Sequence, residues 1–149
     1  MSTKQQLQAD LNTAMKARDE VTLATVRMAL TAVTNEEVAG KEQRELSDDE
    51  VLTVLSREAK KRREAAEAFD GAGRTELAAR ERAEGEVLAR YLPTPLSAEE
   101  LATIVQQTIT ETGADSPRQM GLVMKALQPV VNGRADGKQV SDAVRAALT

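Results

Sequence analysis

The chain has 149 residues, of which 41% are hydrophobic and 30% charged, with a net charge of −4. It is too apolar for intrinsic disorder, and it lacks the run of about 18 apolar residues that a membrane span requires. It contains no cysteine and no histidine, which excludes disulfides, zinc–thiolate sites and catalytic triads built on those side chains. We therefore expect a folded cytoplasmic protein with no metal, no cofactor and no catalytic residue of its own.

The apolar residues are those of a helical protein. The chain holds 24 alanines, 15 leucines and 13 valines, but only one phenylalanine, one tyrosine and no tryptophan. Alanine and leucine are strong helix formers, whereas aromatic residues, which favour strands, are almost absent. The composition therefore predicts an all-α fold whose core depends on close helix approach.

Apolar residues at helical spacing predict four helices before the proline pair at positions 93 and 95, which cannot continue a helix. Ser47 and Glu50 form a capping-box pattern that opens the third helix, and two glycines near residue 72 supply the positive φ for its exit. The predicted spans are 3–18, 19–38, 47–69 and 74–91.

Three further helices are predicted beyond the prolines. The first stops at Gly113, and the second is ended by Pro129 and Asn132-Gly133. We therefore expect a four-helix subdomain over residues 1–92, a proline-containing joint over 93–96 and a three-helix subdomain over 97–149. The caps that predict the three starts are Ser97 with Glu100, Ser116 before Pro117, and Asp136 with Gln139.

An arginine of the third helix, Arg62, occupies a position where the spacing of the apolar residues predicts a core residue. If the third and fourth helices form an antiparallel hairpin about a turn near residue 71, equal rise per residue places Arg62 opposite Glu81. We predict an ion pair between them, with Glu84 as a second partner, which fixes the register of the hairpin. The two glutamates are not expected to hold a metal, because helical di-metal sites recruit a histidine three residues from a glutamate.

The densest basic run of the chain lies on the same helix and consists of Arg57 and residues 60–63. One interpretation is a solvent-exposed face braced by pairs such as Glu58 with Arg62, each worth about 0.2–0.5 kcal/mol. The other is a helix face that follows phosphates without reading bases. Because the whole molecule is acidic, any contact with RNA must be local, and the lack of aromatics argues against base stacking.

A second group of cations lies in the last three helices, close to a glycine-rich turn at residues 132–138. This turn is not a P-loop, since it lacks the Gly-Lys-Ser/Thr ending and no strand precedes it. Gly121 sits inside a predicted helix at a cost of up to about 1 kcal/mol, which indicates close packing by another helix or, less strongly, a ligand. The cations are Arg118, Lys125, Arg134 and Lys138.

Taken in order, these residues resemble the YqeY-like family, whose fold also forms the C-terminal tail of the GatB subunit of glutamine-dependent tRNA amidotransferase. The resemblance covers nearly the whole chain and implies a four-helix bundle followed by a three-helix bundle. The segments that carry it are Ala14-Met15-Lys16, Arg27-Met28, Lys60-Lys61-Arg62, Phe69, Gly73-Arg74, Tyr91-Leu92-Pro93, Met120-Gly121, Met124-Lys125 and residues 133–138.

In the amidotransferase, the resembling tail helps to hold tRNA, while amide transfer belongs to other domains. The resemblance therefore implies a non-enzymatic module that binds tRNA or another structured RNA through phosphates, beside an amidotransferase or aminoacyl-tRNA enzyme. A protein-interaction adaptor with an alanine-rich groove and an accessory part of a carbon–nitrogen ligase with glutamine as amido donor stay open as alternatives. The RNA-binding candidates are Lys125, Arg134 and Lys138, followed by Arg118, Arg74, Lys60, Lys61 and Arg63.

Overall fold

A computed structural model describes all residues from 1 to 149 and contains seven α-helices and no strand, which confirms the all-α prediction. A 3₁₀ turn, Pro117–Gln119, precedes the sixth helix. None of the helices combines the length and the apolar character that crossing a membrane requires. The helices are α1 (Thr3–Ala17), α2 (Glu20–Glu37), α3 (Asp48–Gly71), α4 (Thr75–Ala89), α5 (Ala98–Thr112), α6 (Met120–Val131) and α7 (Gly137–Leu148).

Contacts between the helices divide the chain into two compact units, residues 1–93 with α1–α4 and residues 94–149 with α5–α7. In the first unit α3 packs along α4 and α1 along α2, while α5, α6 and α7 all contact one another in the second. The segment 94–96 is hydrogen-bonded within the second unit, where the Leu96 N–H donates to the Arg134 carbonyl at 2.8 Å.

Each unit has its own apolar core of small aliphatic side chains. Alanines such as Ala29 and Ala78 are fully buried, so the helix backbones approach one another closely where a larger residue would hold them apart. The first core is centred on Leu7, Val26, Val33, Leu55 and Leu88, and the second on Val105, Val123, Leu127 and Val144.

The predicted capping boxes at the starts of α3, α5 and α7 are confirmed. The Ser47 hydroxyl accepts the Glu50 N–H at 3.2 Å, and the Glu50 carboxylate accepts the Ser47 N–H at 3.2 Å. Arg44 also pairs with Glu50, and its hydrogen bond, followed by that of the Ser47 backbone, lowers the pKa of Glu50 to about 2. The same reciprocal arrangement opens α5 and α7, and Gly113 ends α5 in the left-handed conformation.

Helix α6 passes Pro129 and ends at Val131, directly before the predicted Asn132-Gly133 stop, and the burial of Val131 in the second core holds the last turn in place. Two other predictions about α6 are wrong. The Ser116-Pro117 pair opens the 3₁₀ turn and not the α-helix itself. The close helix packing expected at Gly121 is absent, since a Cβ at that position would meet no atom within 4 Å.

A buried glutamate ties three segments of the first unit together. Glu37, at the end of α2, is only 5% exposed and accepts hydrogen bonds from Lys4 Nζ of α1 at 2.9 and 3.0 Å. The Leu46 N–H donates to the same carboxylate at 3.2 Å, which fixes the connector between α2 and α3. The Lys4 hydrogen bond, then that of Leu46, lowers the pKa of Glu37 below its usual value of 4.5.

We predict that Glu37→Gln lowers the melting temperature at pH 7. We also expect the melting temperature of this variant to depend less on pH in the acid range than that of the parent protein. A carboxylate whose pKa is lowered by folding stabilises the protein above its unfolded pKa of about 4.5, and this contribution is lost as the pH falls through the folded value. The gap between the two proteins should therefore narrow below about pH 4.5 in thermal melts followed by circular dichroism. Glu36→Gln, one residue earlier and exposed, is the control, and a gap that stays constant with pH would contradict the ion pair.

Candidate nucleic-acid interface

The seam between α3 and α4 holds Arg62 among three carboxylates. Its guanidinium, 17% exposed, lies 3.2 Å from Glu58, 3.7 Å from Glu81 and 3.6 Å from Glu84, and it also contacts the sulfur of Met28 on α2. The contacts with Glu81 and Glu84 are ionic without a hydrogen bond, so Arg62 Nε and Glu81 Oε2 are left without a hydrogen-bond partner. Arg62 therefore lies at the level of Glu81 and Glu84 across the hairpin.

Two more cations balance the charge of this seam. Lys61 Nζ lies 3.2 Å from Glu58, and Arg80 Nε lies 3.3 Å from Glu84, so three cations face three carboxylates. Glu81 depends on Arg62 alone. Nowhere in the chain do three or more carboxylates come together in a way that could hold a metal ion. The seam is a structural ion-pair network, and its importance for the surface is that it turns Glu58 inward.

With Glu58 turned inward, the solvent side of α3 carries mostly positive charge. Arg57 and Arg63 are exposed and belong to no ion pair, while Lys60 has only a 4.0 Å contact with Glu64. Exposed ion pairs of this kind contribute little to stability, and their cations can readily contact another anion instead. The cations of this side of α3 lie between residues 57 and 63, which is about 9 Å along the helix axis. We call Arg57, Lys60, Lys61 and Arg63 the α3 basic face.

The predicted cations of the second unit differ in their surroundings. Arg134 is half-buried and its Nε donates to the Thr94 carbonyl at 3.0 Å, so this side chain fastens the start of the unit. Lys125 on α6, Lys138 in the first turn of α7 and Arg118 in the 3₁₀ turn are exposed and unpaired. The N-terminal end of α7 adds a partial positive charge beside Lys138.

Arg74, the remaining predicted cation, stands at the cap position before α4. It is exposed, and its side chain makes no capping hydrogen bond. Gly73 before it has a positive φ of 73°, as the turn prediction requires. Arg74 belongs to the first unit, as the α3 basic face does, but it lies beyond the C-terminal end of α3, where the chain turns into α4.

The two aromatic residues are not available for base stacking. The Tyr91 hydroxyl donates to the Asp10 carboxylate of α1, and burial, followed by this hydrogen bond, raises the pKa of Tyr91. Phe69 is partly buried near the end of α3. The exposed surface thus offers charge and no aromatic platform, which suits contact with a phosphate backbone and not with splayed bases.

Sequence reasoning missed one surface feature, an exposed apolar pair on α6. Leu122 is 49% exposed and Val130 48% exposed, on the side of the helix away from the core. A signal was present in the sequence, because α6 contains a single charged residue in twelve and its apolar residues extend well beyond one narrow stripe. A helix with so wide an apolar surface is normally more deeply buried.

The comparison with family profiles gives one match, to the family described as Yqey-like protein, over residues 4–148. The match leaves out only three residues at the start and one at the end, so it spans both compact units. The comparison with curated proteins gives no significant match.

Proposed function

Because this chain belongs to the YqeY-like family, we propose that it is a non-catalytic helical module that binds tRNA or another structured RNA through phosphate contacts. The observation that carries the proposal is the α3 basic face, in which four cations share one side of a helix while Glu58, one of the neighbouring carboxylates, is turned into the seam. The resemblance to the tRNA-holding tail of the GatB subunit supports tRNA as the partner.

Local charge favours this surface in spite of the acidic chain. With Arg62 and Glu58 both turned into the seam, the exposed side of residues 57–67 carries four cations, Arg57, Lys60, Lys61 and Arg63, against two carboxylates, Glu64 and Glu67. At 0.1 M salt the Debye length is about 10 Å, so distant acidic residues are largely screened from a phosphate at this face. A phosphate close to α3 therefore experiences mainly the arginines and lysines.

The geometry indicates backbone recognition of a folded RNA. A face about 9 Å long reaches roughly three phosphates of one strand, taking about 3.4 Å of axial rise per nucleotide. Phosphate contacts position a protein without reading sequence, and no exposed aromatic residue is available to stack on single-stranded bases. The expected ligand is thus a duplex region of a structured RNA, recognised by shape.

We expect the affinity for unmodified tRNA, measured by fluorescence anisotropy, to fall with salt with a log–log slope of about −2 to −3, as three phosphate contacts imply. Lys60→Glu with Arg63→Glu should weaken binding at least about tenfold and reduce the steepness of the slope by about two. Lys16→Glu with Lys41→Glu is the matched control, because both lysines are exposed and the change in net charge is the same.

Two outcomes would contradict this proposal in different ways. Absence of binding even at low salt would remove RNA as the partner and leave the adaptor interpretation. Binding that survives Lys60→Glu with Arg63→Glu but is lost in Lys125→Glu with Lys138→Glu would move the interface to the second unit. Lys138 replaces Arg134 in that test, because Arg134→Glu would also remove the hydrogen bond to Thr94.

A further inference from the structure

The outward side of α6 carries an apolar stripe. Leu122, Ala126, Pro129 and Val130 are all exposed, and their spacing of four, three and one residues places them on one side of the helix over about 12 Å. The opposite side supplies Val123, Leu127 and Val131 to the core. Elsewhere the large exposed apolar side chains lie on separate elements, so α6 is the helix that presents two of them together.

The charged residues of α6 and of the turns on either side of it, residues 116–135, have one sign. From residue 116 to residue 135 the sequence contains Arg118, Lys125 and Arg134 and no aspartate or glutamate, although the whole chain has 24 carboxylates. Arg118 and Lys125 are exposed and unpaired. An apolar stripe bordered by free cations is complementary to an apolar stripe bordered by carboxylates.

Two backbone features lie beside the stripe. A Cβ at Gly121 would meet nothing within 4 Å, so no other element of the chain packs closely against α6 at that position. Pro129 has no N–H, so it cannot supply the α-helical hydrogen bond to the carbonyl of Lys125, four residues earlier.

We propose that the α6 stripe docks an amphipathic helix of a partner protein whose apolar side is flanked by glutamate or aspartate. Leu122 and Val130 are the anchors, and Arg118 and Lys125 select the charge of the flanks. This interaction is additional to RNA binding by α3 and does not depend on it, because it uses a different unit of the protein.

The test uses the full chain and two synthetic helical peptides with the same leucine stripe, one flanked by glutamates and the other by lysines. The glutamate peptide should bind in isothermal titration calorimetry, and Leu122→Gln should weaken it about tenfold or more. Lys125→Glu should shift the preference toward the lysine peptide. Val38→Gln, which changes a single exposed valine of the first unit, is the control and should leave binding unchanged.

Unchanged thermal melts of the variants would show that they fold. Failure of the glutamate peptide to bind, equal binding of both peptides, or binding that ignores Leu122→Gln would each overturn the proposal. Self-association in sedimentation velocity that Leu122→Gln abolishes would also overturn it, because the occupant would then be a second copy of this chain. None of these results bears on tRNA binding through α3, which is measured separately by fluorescence anisotropy.

Discussion

Replacing Arg62 with methionine should lower the free energy of unfolding by about 3 kcal/mol, because removing one member of a largely buried ion-pair network leaves its partners without compensation. Glu58 keeps Lys61, and Glu84 keeps Arg80, but Glu81 has no other cation. Its side chain is 19% exposed and already has one oxygen without a hydrogen bond. Urea denaturation followed by circular dichroism measures the loss.

Comparison with three further variants tests whether the loss of stability comes from the unpaired Glu81. Glu81→Leu should lower the stability less, since Arg62 still contacts Glu58 and Glu84. The double variant Arg62→Met with Glu81→Leu should be more stable than Arg62→Met alone, because an apolar pair at a buried seam avoids the cost of desolvating charge. Arg63→Met, at an exposed and unpaired neighbour, should stay within about 0.5 kcal/mol of the parent. An unchanged melting temperature for Glu81→Leu would refute the pairing.

Leu127→Ala should destabilise the second unit by about 3 kcal/mol. Leu127 is completely buried at the centre of a core made of small aliphatic side chains, and truncation there loses apolar burial and leaves a cavity. A unit of about 60 residues buries a smaller fraction of its surface than a larger domain, so its free energy of unfolding is small. Hydrogen exchange of amides in α5–α7 should show the loss directly.

The matched control for this variant lies on the same helix. Leu122→Ala removes the same atoms from a side chain that is 49% exposed, and the expected loss is less than about 0.5 kcal/mol. If both variants lost the same stability, the assignment of one side of α6 to the core and the other to solvent would be wrong.

The helix boundaries could be predicted from local chemistry where a residue acts as a helix cap, since a capping side chain bonds to the backbone within the same turn. Ser47, Ser97 and Asp136 each precede a polar residue at the third helical position, and each cap is present. The capping box of Ser2 and Gln5 at α1 was not predicted, although it has the same pattern. Of the two signals for the end of α6, Asn132-Gly133 marks the end of the helix, whereas Pro129 lies inside its last turn, where the burial of Val131 offsets the lost hydrogen bond.

The candidate site was less accessible to sequence reasoning, because exposure depends on which helices pack together. Counting an equal rise per residue on both helices from the turn near residue 71 was enough to predict that Arg62 lies opposite Glu81. The same arithmetic could not show that Arg134 bonds to the Thr94 carbonyl, 40 residues away. It also could not show that the second side of α6 remains open, since its apolar composition is equally compatible with burial.

The hydrogen bonds of Glu37 have a consequence for the connector between α2 and α3. Leu46 is inserted in the first core and its N–H is held by Glu37, while residues 38–45 between these anchor points are exposed. Both ends of this stretch are therefore secured, and within it the Arg44 N–H donates to the Glu37 carbonyl at 3.1 Å. We expect a peptide tag inserted at Gly40, or a single protease cut after Lys41, to leave the hydrogen bonds of the Glu37 carboxylate with Lys4 and Leu46 in place, because both positions lie between the anchor points.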